Sequence, residues 1–502
     1  MISYESGKVV ETEHTLDMDG EYDVVVVGGG MAGLGAGIAA AKAGCKTIIV
    51  ERESALGGLA TIGLVNIPLD YDSGIGADMF QRLEALNGLW HRNSDPEKHK
   101  LVCDRMVKDA GCDFLLVTHV VEAIVRRGAI RGVVVESKAG RKAIMAKQVV
   151  DCSGDADAAY FAGCDCLQGR KSDGEHQACS LEFRLGGVEW EKYLNSELKA
   201  EDPSWMNLIK TCLANGDLAY EVDNHLNWMT HVPGRPEHCG MDEVSLCFAH
   251  SRHCNPLSNR DLTRMYLEGR EQADMLWRFI RKCVPGFAKC WLIDTAPLLG
   301  VRESRRAVGE YIMTGLDIVR HARFDDVITM SGHGFDLHNP TGPGNIKWIE
   351  AEIDGRQRYL VAFPSGFGAS WLPEGGREAL TDYEGRGIKD AKWPEPRSYD
   401  IPYRSLVPLK MDNLLVAGRC LSSDFMGQSG CRLVMCCLTM GEAAGTAAAL
   451  CLQQGVAPRN LDRIALQRKL IENGLNLGQQ YRIIPGVTQK LAQKTAIGGI
   501  AN

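Results

Sequence analysis

Three glycines at fixed spacing, and one acid beyond them, are the residues of this chain best placed to do chemistry. Gly28, Gly30 and Gly33 form a G-x-G-x-x-G pattern, and Glu51 follows 21 residues after Gly30. Gly28 permits a tight turn, Gly30 lets the backbone approach a pyrophosphate, and Gly33 lets a helix lie close against a strand. A helix beginning near Met31 and Ala32 would aim its free N–H groups and its dipole at the phosphates. Glu51, with Arg52 beside it, stands where a carboxylate accepts hydrogen bonds from ribose hydroxyls. The chemistry this supports is that of a bound redox dinucleotide. The elements needed to hold it surround it: Val24 to Val27 read as a strand buried on both faces, and Lys46 to Val50 as its parallel partner.

Gly57 and Gly58 come six residues after Glu51, followed by Leu59, Ala60 and Thr61. Small residues there let a backbone pass close to a flat, extended ligand. Paired glycines at this distance from the acid are a habit of FAD proteins rather than of NAD dehydrogenases, so FAD is the expected cofactor. A second G-x-G-x-x-G unit is missing from the sequence, and no C-x4-C pair follows directly on the first unit. The chain therefore differs from a disulfide reductase, and a separate electron acceptor or donor is expected to complete its cycle.

Composition narrows the class. The chain has 502 residues, of which 45% are apolar, enough for two or three domains. A net charge of -8 without a basic block argues against a nucleic-acid partner. No stretch is read as approaching the ~20 apolar residues of a membrane span, and Met1 to Gly20 lacks the basic and apolar regions of a signal peptide. The expectation is a cytoplasmic protein without a membrane partner. The 18 cysteines are scattered. Cys164 and Cys166, or the adjacent Cys436 and Cys437, do not have a usual zinc spacing, so reduced, mostly buried thiols and no metal are expected.

Later segments resemble the family of FAD-dependent oxidoreductases, within the glutathione-reductase-type FAD fold and near the fumarate reductase and succinate dehydrogenase flavoproteins. Val149-Val150-Asp151-Cys152-Ser153-Gly154-Asp155 resembles that family's strand ending in an "ATGD"-like turn. Leu299-Gly300-Val301-Arg302-Glu303-Ser304-Arg305-Arg306 resembles its "G-[IV]-R-E-[ST]-R-R" run. Ile401-Pro402-Tyr403-Arg404-Ser405-Leu406, Asn413 to Arg419 and Gly441-Glu442-Ala443-Ala444-Gly445-Thr446 resemble its closing segments. The likeness is collinear from residue 22 to about 475.

The resemblance implies an α/β fold: a discontinuous Rossmann-like FAD-binding domain with an inserted α+β capping domain. The expected divisions are an N-terminal extension (1–20), the first part of the FAD domain (21–169), the substrate-bearing cap (170–400), the last part of the FAD domain (401–477) and a tail (478–502). The tail could dock on a neighbouring subunit in a homo-oligomer. Val120 or Val121 would contact the adenine, and Ser153, Gly154 and Asp155 would lie over the pyrophosphate. Gly418 and Arg419 would meet the phosphate or ribityl region. A helix beginning near Met435 and Cys436 would point its positive end at the flavin C2 carbonyl, favouring the reduced anion.

Hydride transfer at flavin N5 needs a group that moves a proton when an alcohol is oxidised or an alkene reduced. His333 and His338 are the candidates, with Asp336 between them to orient either ring; His338 lies in a segment resembling the family's "D-[IL]-H-x-P". Arg404 and Arg432 flank the last cofactor elements and are expected at the flavin edge or on the substrate. Arg302 is expected to be buried and paired. Arg306 and Glu310, four apart, are expected to be a surface pair on a helix. Converging arginines favour a carboxylate or polyhydroxylated substrate. Asp424-Phe425-Met426 departs from the small polar run of the family. The cap helix is read from Leu262 to about Cys283, with an apolar face including Met265, Leu267, Leu276 and Phe279. The expected function is an FAD-dependent oxidoreductase exchanging a hydride with a small polar molecule such as a sugar, hydroxy acid or unsaturated acid. The alternatives are a flavoprotein monooxygenase and an electron-transfer flavoprotein without its own substrate.

Overall fold

In the computed structural model, the structure describes the chain apart from residues 1, 6, 12, 14, 68–72, 92, 236–239, 347, 354–355, 363–368, 372–397, 481 and 486–502. Most of the expected docking tail therefore lies outside the described residues.

The valine run ends strand β1 (Asp17–Val27). Successive side chains of a strand point to opposite faces. Val24 and Val26 accordingly enter one core layer and Val25 and Val27 the other, all at most 3% exposed. A strand apolar on both faces belongs in the middle of a covered sheet. The chain turns at Gly28, at a φ of 97° that favours glycine, into helix α1 (Met31–Lys42). It returns as β2 (Thr47–Val50), parallel to β1. β3 (Asp113–Leu115) extends the sheet beyond β2. An antiparallel run of β4 (His119–Arg126), β5 (Ala129–Ser137) and β6 (Gly140–Asp151) forms the other side.

β6 pairs parallel with β1 on one side and has two partners in succession on the other. Its first half pairs antiparallel with β5, while Val149 to Asp151 run parallel to β7 (Leu414–Val416), which arrives from the far end of the chain. The resulting seven-stranded sheet has the order β3-β2-β1-β6-β5-β4, with β7 beside β6.

Helix α2 (Val434–Gln454) lies against α1. A Cβ on Gly441 would stand 1.9 Å from the Ala32 carbonyl oxygen, and one on Gly445 2.1 Å from that of Ala36. The "G-E-A-A-G-T" segment is thus a packing seam in which two backbones touch. By length and mean hydropathy (1.5) α2 is also apolar enough to cross a membrane, which corrects the reading that no stretch comes close. Within this fold 72% of that apolar window is buried.

Residues between β6 and β7 build a second layer. Four antiparallel strands stand in the order Trp228–Val232, Asp242–Cys247, Phe183–Val188, Trp291–Thr295. They are backed by a long helix, Asn259–Cys283, capped by the Ser258 hydroxyl, which accepts from the Asp261 amide. Met265, Leu276 and Phe279 face the core as expected from their spacing, but Leu267 is 58% exposed. Arg306 corrects a second expectation. It is a buried residue of a two-residue strand paired with Cys166–Leu167, not a helical surface residue. Glu310 instead faces Arg459 at 3.6 Å.

Candidate functional site

A cleft enclosing about 1240 Å³, including its open mouth, runs along the C-terminal edges of β1 and β2. Gly28, Gly30, Met31 and Ala32 form one wall, and Glu51, Arg52, Gly57, Gly58, Leu59 and Ala60 the next. A Cβ on Gly30 would meet nothing within 4 Å, so a side chain there would extend into open space. That is the cradle a pyrophosphate needs, and Gly30 leaves the first amides of α1 without a side-chain cap. Glu51 is buried at the end of β2, and its carboxylate accepts from the Gly29 and Glu53 amides. Burial pushes its carboxyl up. These residues fit FAD.

Not every predicted contact faces the cleft. Gly33 is spent on packing, since its Cβ would lie 1.8 Å from the Gly28 oxygen. Thr61 holds the turn by donating to the Leu56 carbonyl at 2.7 Å. Val120 lines the cleft and Val121 does not, as alternation along β4 requires. On α2 the lining residues are Val434 and Cys437, not Met435 and Cys436. Residues three apart share a helix face, and Cys436 is turned into the core.

Ser153 and Gly154 line the opposite wall together with Asp157, Gly418 and Arg419. Asp155 lies behind them, accepting from Ser304 at 2.6 Å and Arg419 at 2.8 Å. Burial and the neighbouring Asp155 and Asp151 push the Asp157 carboxyl up to about 7. The Arg302 to Arg306 run stitches this wall to the cap. Arg305 donates to the Asp155 carbonyl at 2.7 Å, and Arg306 to that of Ser423 at 3.1 Å. Glu303 accepts from the Gly169 amide at 2.9 Å and from Arg306.

At the cap end of the cleft stands a cluster of buried polar groups. Arg432 lines the cleft and donates to the Asp336 carboxylate at 2.8 Å. The other Asp336 oxygen is 3.4 Å from His338 Nε2. The His338 ring stacks on His250, with centroids 5.0 Å apart. Arg302 is 7% exposed and donates to the Ala178 carbonyl at 2.8 Å and to Cys247 Sγ at 3.3 Å. No carboxylate of the described residues lies within 4 Å of it. Burial, aided by the Arg302 charge, lowers the His338 imidazole to about 4. His338 Nδ1 and Arg432 Nε are buried without a hydrogen-bond partner.

Sequence reading missed His250, since nothing local marks it; its ring enters the cluster from a two-residue strand of the cap, His250–Ser251. Leu298, Leu299 and Val301 also line the cleft, and only their position just before the arginine run signals it. His333 is half-buried and does not line the cleft; its ring stands 3.1 Å from the Gly334 carbonyl. Arg404 is away from the lining altogether. It makes two bonds to the buried Asp326 carboxylate, at 2.9 and 3.1 Å, so its expected place facing the flavin is not where the fold puts it.

A model of the family described as FAD dependent oxidoreductase matches residues 23–470. A thiamine thiazole synthase of Methanococcus aeolicus is 33% identical over 166 residues, covering 30% of this chain and 60% of that protein. A digeranylgeranylglycerophospholipid reductase of Methanopyrus kandleri is 29% identical over 205 residues, 34% of this chain and 51% of that protein. The chain thus spans little more than half the length of these curated relatives. They are not fumarate reductase or succinate dehydrogenase flavoproteins, so the match carries the broad family and not the finer branch. Among solved structures, a geranylgeranyl bacteriochlorophyll reductase-like protein of Thermoplasma acidophilum aligns over 95% of both chains, with 12% identity and a TM-score of 0.39.

Proposed function

Because this chain belongs to the FAD dependent oxidoreductase family, we propose that it oxidises a small hydroxy acid, with FAD as its cofactor and a separate electron acceptor. One observation supports this reading above others: two buried polar atoms are unpartnered, Nε of Arg432, which lines the cleft, and Nδ1 of His338, whose ring stands behind it across Asp336. Buried polar atoms are almost always hydrogen-bonded, so an oxygen-rich ligand is the natural partner for both.

The charge of the cluster selects the ligand class. Arg302 and Arg432 place two guanidinium charges against the single carboxylate of Asp336. The nearby Glu182 carboxyl is held neutral, pushed up to about 8 by burial. A substrate carboxylate would balance the excess.

When bound, FAD supplies an acceptor for a hydride at N5. Arg302 and Arg432 hold the substrate carboxylate. Asp336 accepts from His338 Nε2–H and so fixes the tautomer that leaves a lone pair on Nδ1. His338, neutral above about pH 5, takes the hydroxyl proton through Nδ1 as the hydride leaves the adjacent carbon, and a carbonyl forms.

The test is anaerobic addition of hydroxy acids, sugars and unsaturated acids to the purified protein while the flavin absorption is followed. Hydroxy acids should bleach it and neutral sugars should not. Equal bleaching by neutral sugars, or hydroxylation of substrate coupled to oxygen, would overturn the assignment.

A further inference from the structure

Away from the cleft, two helices of the cap end side by side. One is Met206–Asn215, which carries Cys212, and the other is the long helix whose last residue is Cys283. Gly216 follows the first helix at a φ of 82°, and a Cβ there would meet nothing within 4 Å, so it is a turn glycine. The Leu218 amide then bonds back to the Cys212 carbonyl at 3.0 Å. This reversal carries Asp217 alongside the two thiols. The ligand atoms of Cys212, Asp217 and Cys283 all lie within 4.8 Å of one another.

We propose that Cys212, Cys283 and Asp217 bind a thiophilic divalent cation of the zinc class, with water as the fourth ligand. Around tetrahedral zinc, ligands at roughly 2.0–2.3 Å from the metal stand about 3.3–3.8 Å from each other. The observed spacing closes to that by side-chain rotation of about 1 Å. Charge balances as well. Two thiolates and a carboxylate carry three negative charges, which a divalent ion and the Lys282 ammonium, bonded to Asp217, neutralise. Lys282 thereby also orients the carboxylate ligand, as an outer partner should. Two helix C-termini contribute partial negative charge to the same spot. Cys212 is 3% exposed in the cap core, while the Asp217 side chain is 21% exposed, which gives the ion and its water a way in. Binding releases the two thiol protons to solvent, with no redox change. The site would staple the ends of the two helices together and hold the cap rigid beneath its sheet.

The full-length flavin-loaded protein, stripped with a chelator under reducing conditions, is titrated with Co²⁺ and then with Zn²⁺. The proposal expects thiolate-to-cobalt charge-transfer absorption and tetrahedral d–d bands that saturate near a single equivalent and are erased by Zn²⁺. Cys283→Ser should abolish the bands. Asp217→Asn, at the surface, should weaken Co²⁺ binding at least tenfold, while the flavin spectrum and circular dichroism of both variants match the parent. Absence of the bands in the parent protein overturns the proposal. So do bands that survive unchanged in both variants, which would assign them to other cysteines, and a Cys212–Cys283 disulfide found by mass spectrometry in place of metal binding.

Discussion

The Asp336 carboxylate accepts a hydrogen bond from the Arg432 guanidinium at 2.8 Å. Its second oxygen faces His338, so one carboxylate ties the residue that lines the cleft to the imidazole behind it. The Arg432 charge keeps Asp336 well below the usual carboxylate range, against the cost of its burial. Asp336→Asn keeps the shape but removes the charge. It also lets the amide donate to His338 and select the wrong tautomer. Turnover with the bleaching substrate should fall about 10²-fold or more, with flavin content unchanged. Steady-state kinetics beside a flavin-to-protein absorbance ratio check this; a loss confined to flavin content would place Asp336 in cofactor retention instead.

Two glycine substitutions should separate fold from binding. A Cβ at Gly441 would press within 1.9 Å of the Ala32 backbone oxygen, which cannot yield without parting α1 from α2. Gly441→Ala should cost about 3 kcal/mol or more of stability and shed FAD as a consequence. Gly30→Ala meets no neighbour. It should unfold at the same denaturant concentration as the parent apoprotein, yet bind FAD at least about tenfold more weakly. Denaturant midpoints and FAD titrations of the two apoproteins decide the matter. If Gly30→Ala bound FAD like the parent, the cradle would lie elsewhere.

The first half of the cofactor cradle could be read from sequence because it is local. Gly28 to Glu51 form one β-α-β unit in which each contact is fixed by a turn or a helix start within about 20 residues. Errors began where a side chain's direction mattered. Val434 and Cys437 replace Met435 and Cys436 because residues three apart share a helix face, and packing turns Cys436 into the core. Arg306 and Glu310 have helical spacing, but neither is helical, since spacing without an apolar stripe does not make a helix. The cap cluster was half seen. The sequence singles out His338, Asp336 and Arg432, whereas the place of His250, and Arg302 bonding a carbonyl and a thiol in place of a carboxylate, arise only when strands distant in sequence meet.

Arg404 should matter for stability and not for chemistry. Its two bonds to Asp326 neutralise a carboxylate with no exposed surface, while the guanidinium itself is 30% exposed. Arg404→Ala removes the guanidinium and leaves that buried carboxylate with the backbone amide of residue 404 but without its charged partner. A loss of about 1–3 kcal/mol is expected, after allowance for solvent screening at the arginine. Flavin content and kcat at low temperature should be unchanged. A selective rise in KM would put Arg404 back at the substrate.

Six buried groups give thermal stability a defined pH profile. Burial lowers His99, His176 and His338 from 6.5 to about 4, raises Glu182 and Glu442 from 4.5 to about 8, and, with Asp155 and Asp151 beside it, raises Asp157 from 3.8 to about 7. Between about pH 4 and 6.5 the unfolded histidines hold protons that the folded ones refuse, so their term makes stability rise with pH. Between about 4.5 and 8 the folded glutamates hold protons that the unfolded ones have lost, so their term makes stability fall with pH. The two trends oppose each other up to about 6.5, and above it only the carboxyl terms are left, Asp157 up to about pH 7 and the two glutamates up to about 8. The melting temperature should therefore change little from pH 5 to 6.5 and decline from 6.5 to 8. The slope is on the order of 1.4 kcal/mol per pH unit for each glutamate. Glu442 accepts from the Ile75 amide at 2.9 Å, a bond that a glutamine oxygen can also accept. Glu442→Gln should thus keep the fold and remove about half of the decline. Calorimetric scans of parent and variant across this range test the assignment, and a parent melting temperature that climbs from pH 6.5 to 8 would show that these carboxyls are already ionised in the folded protein.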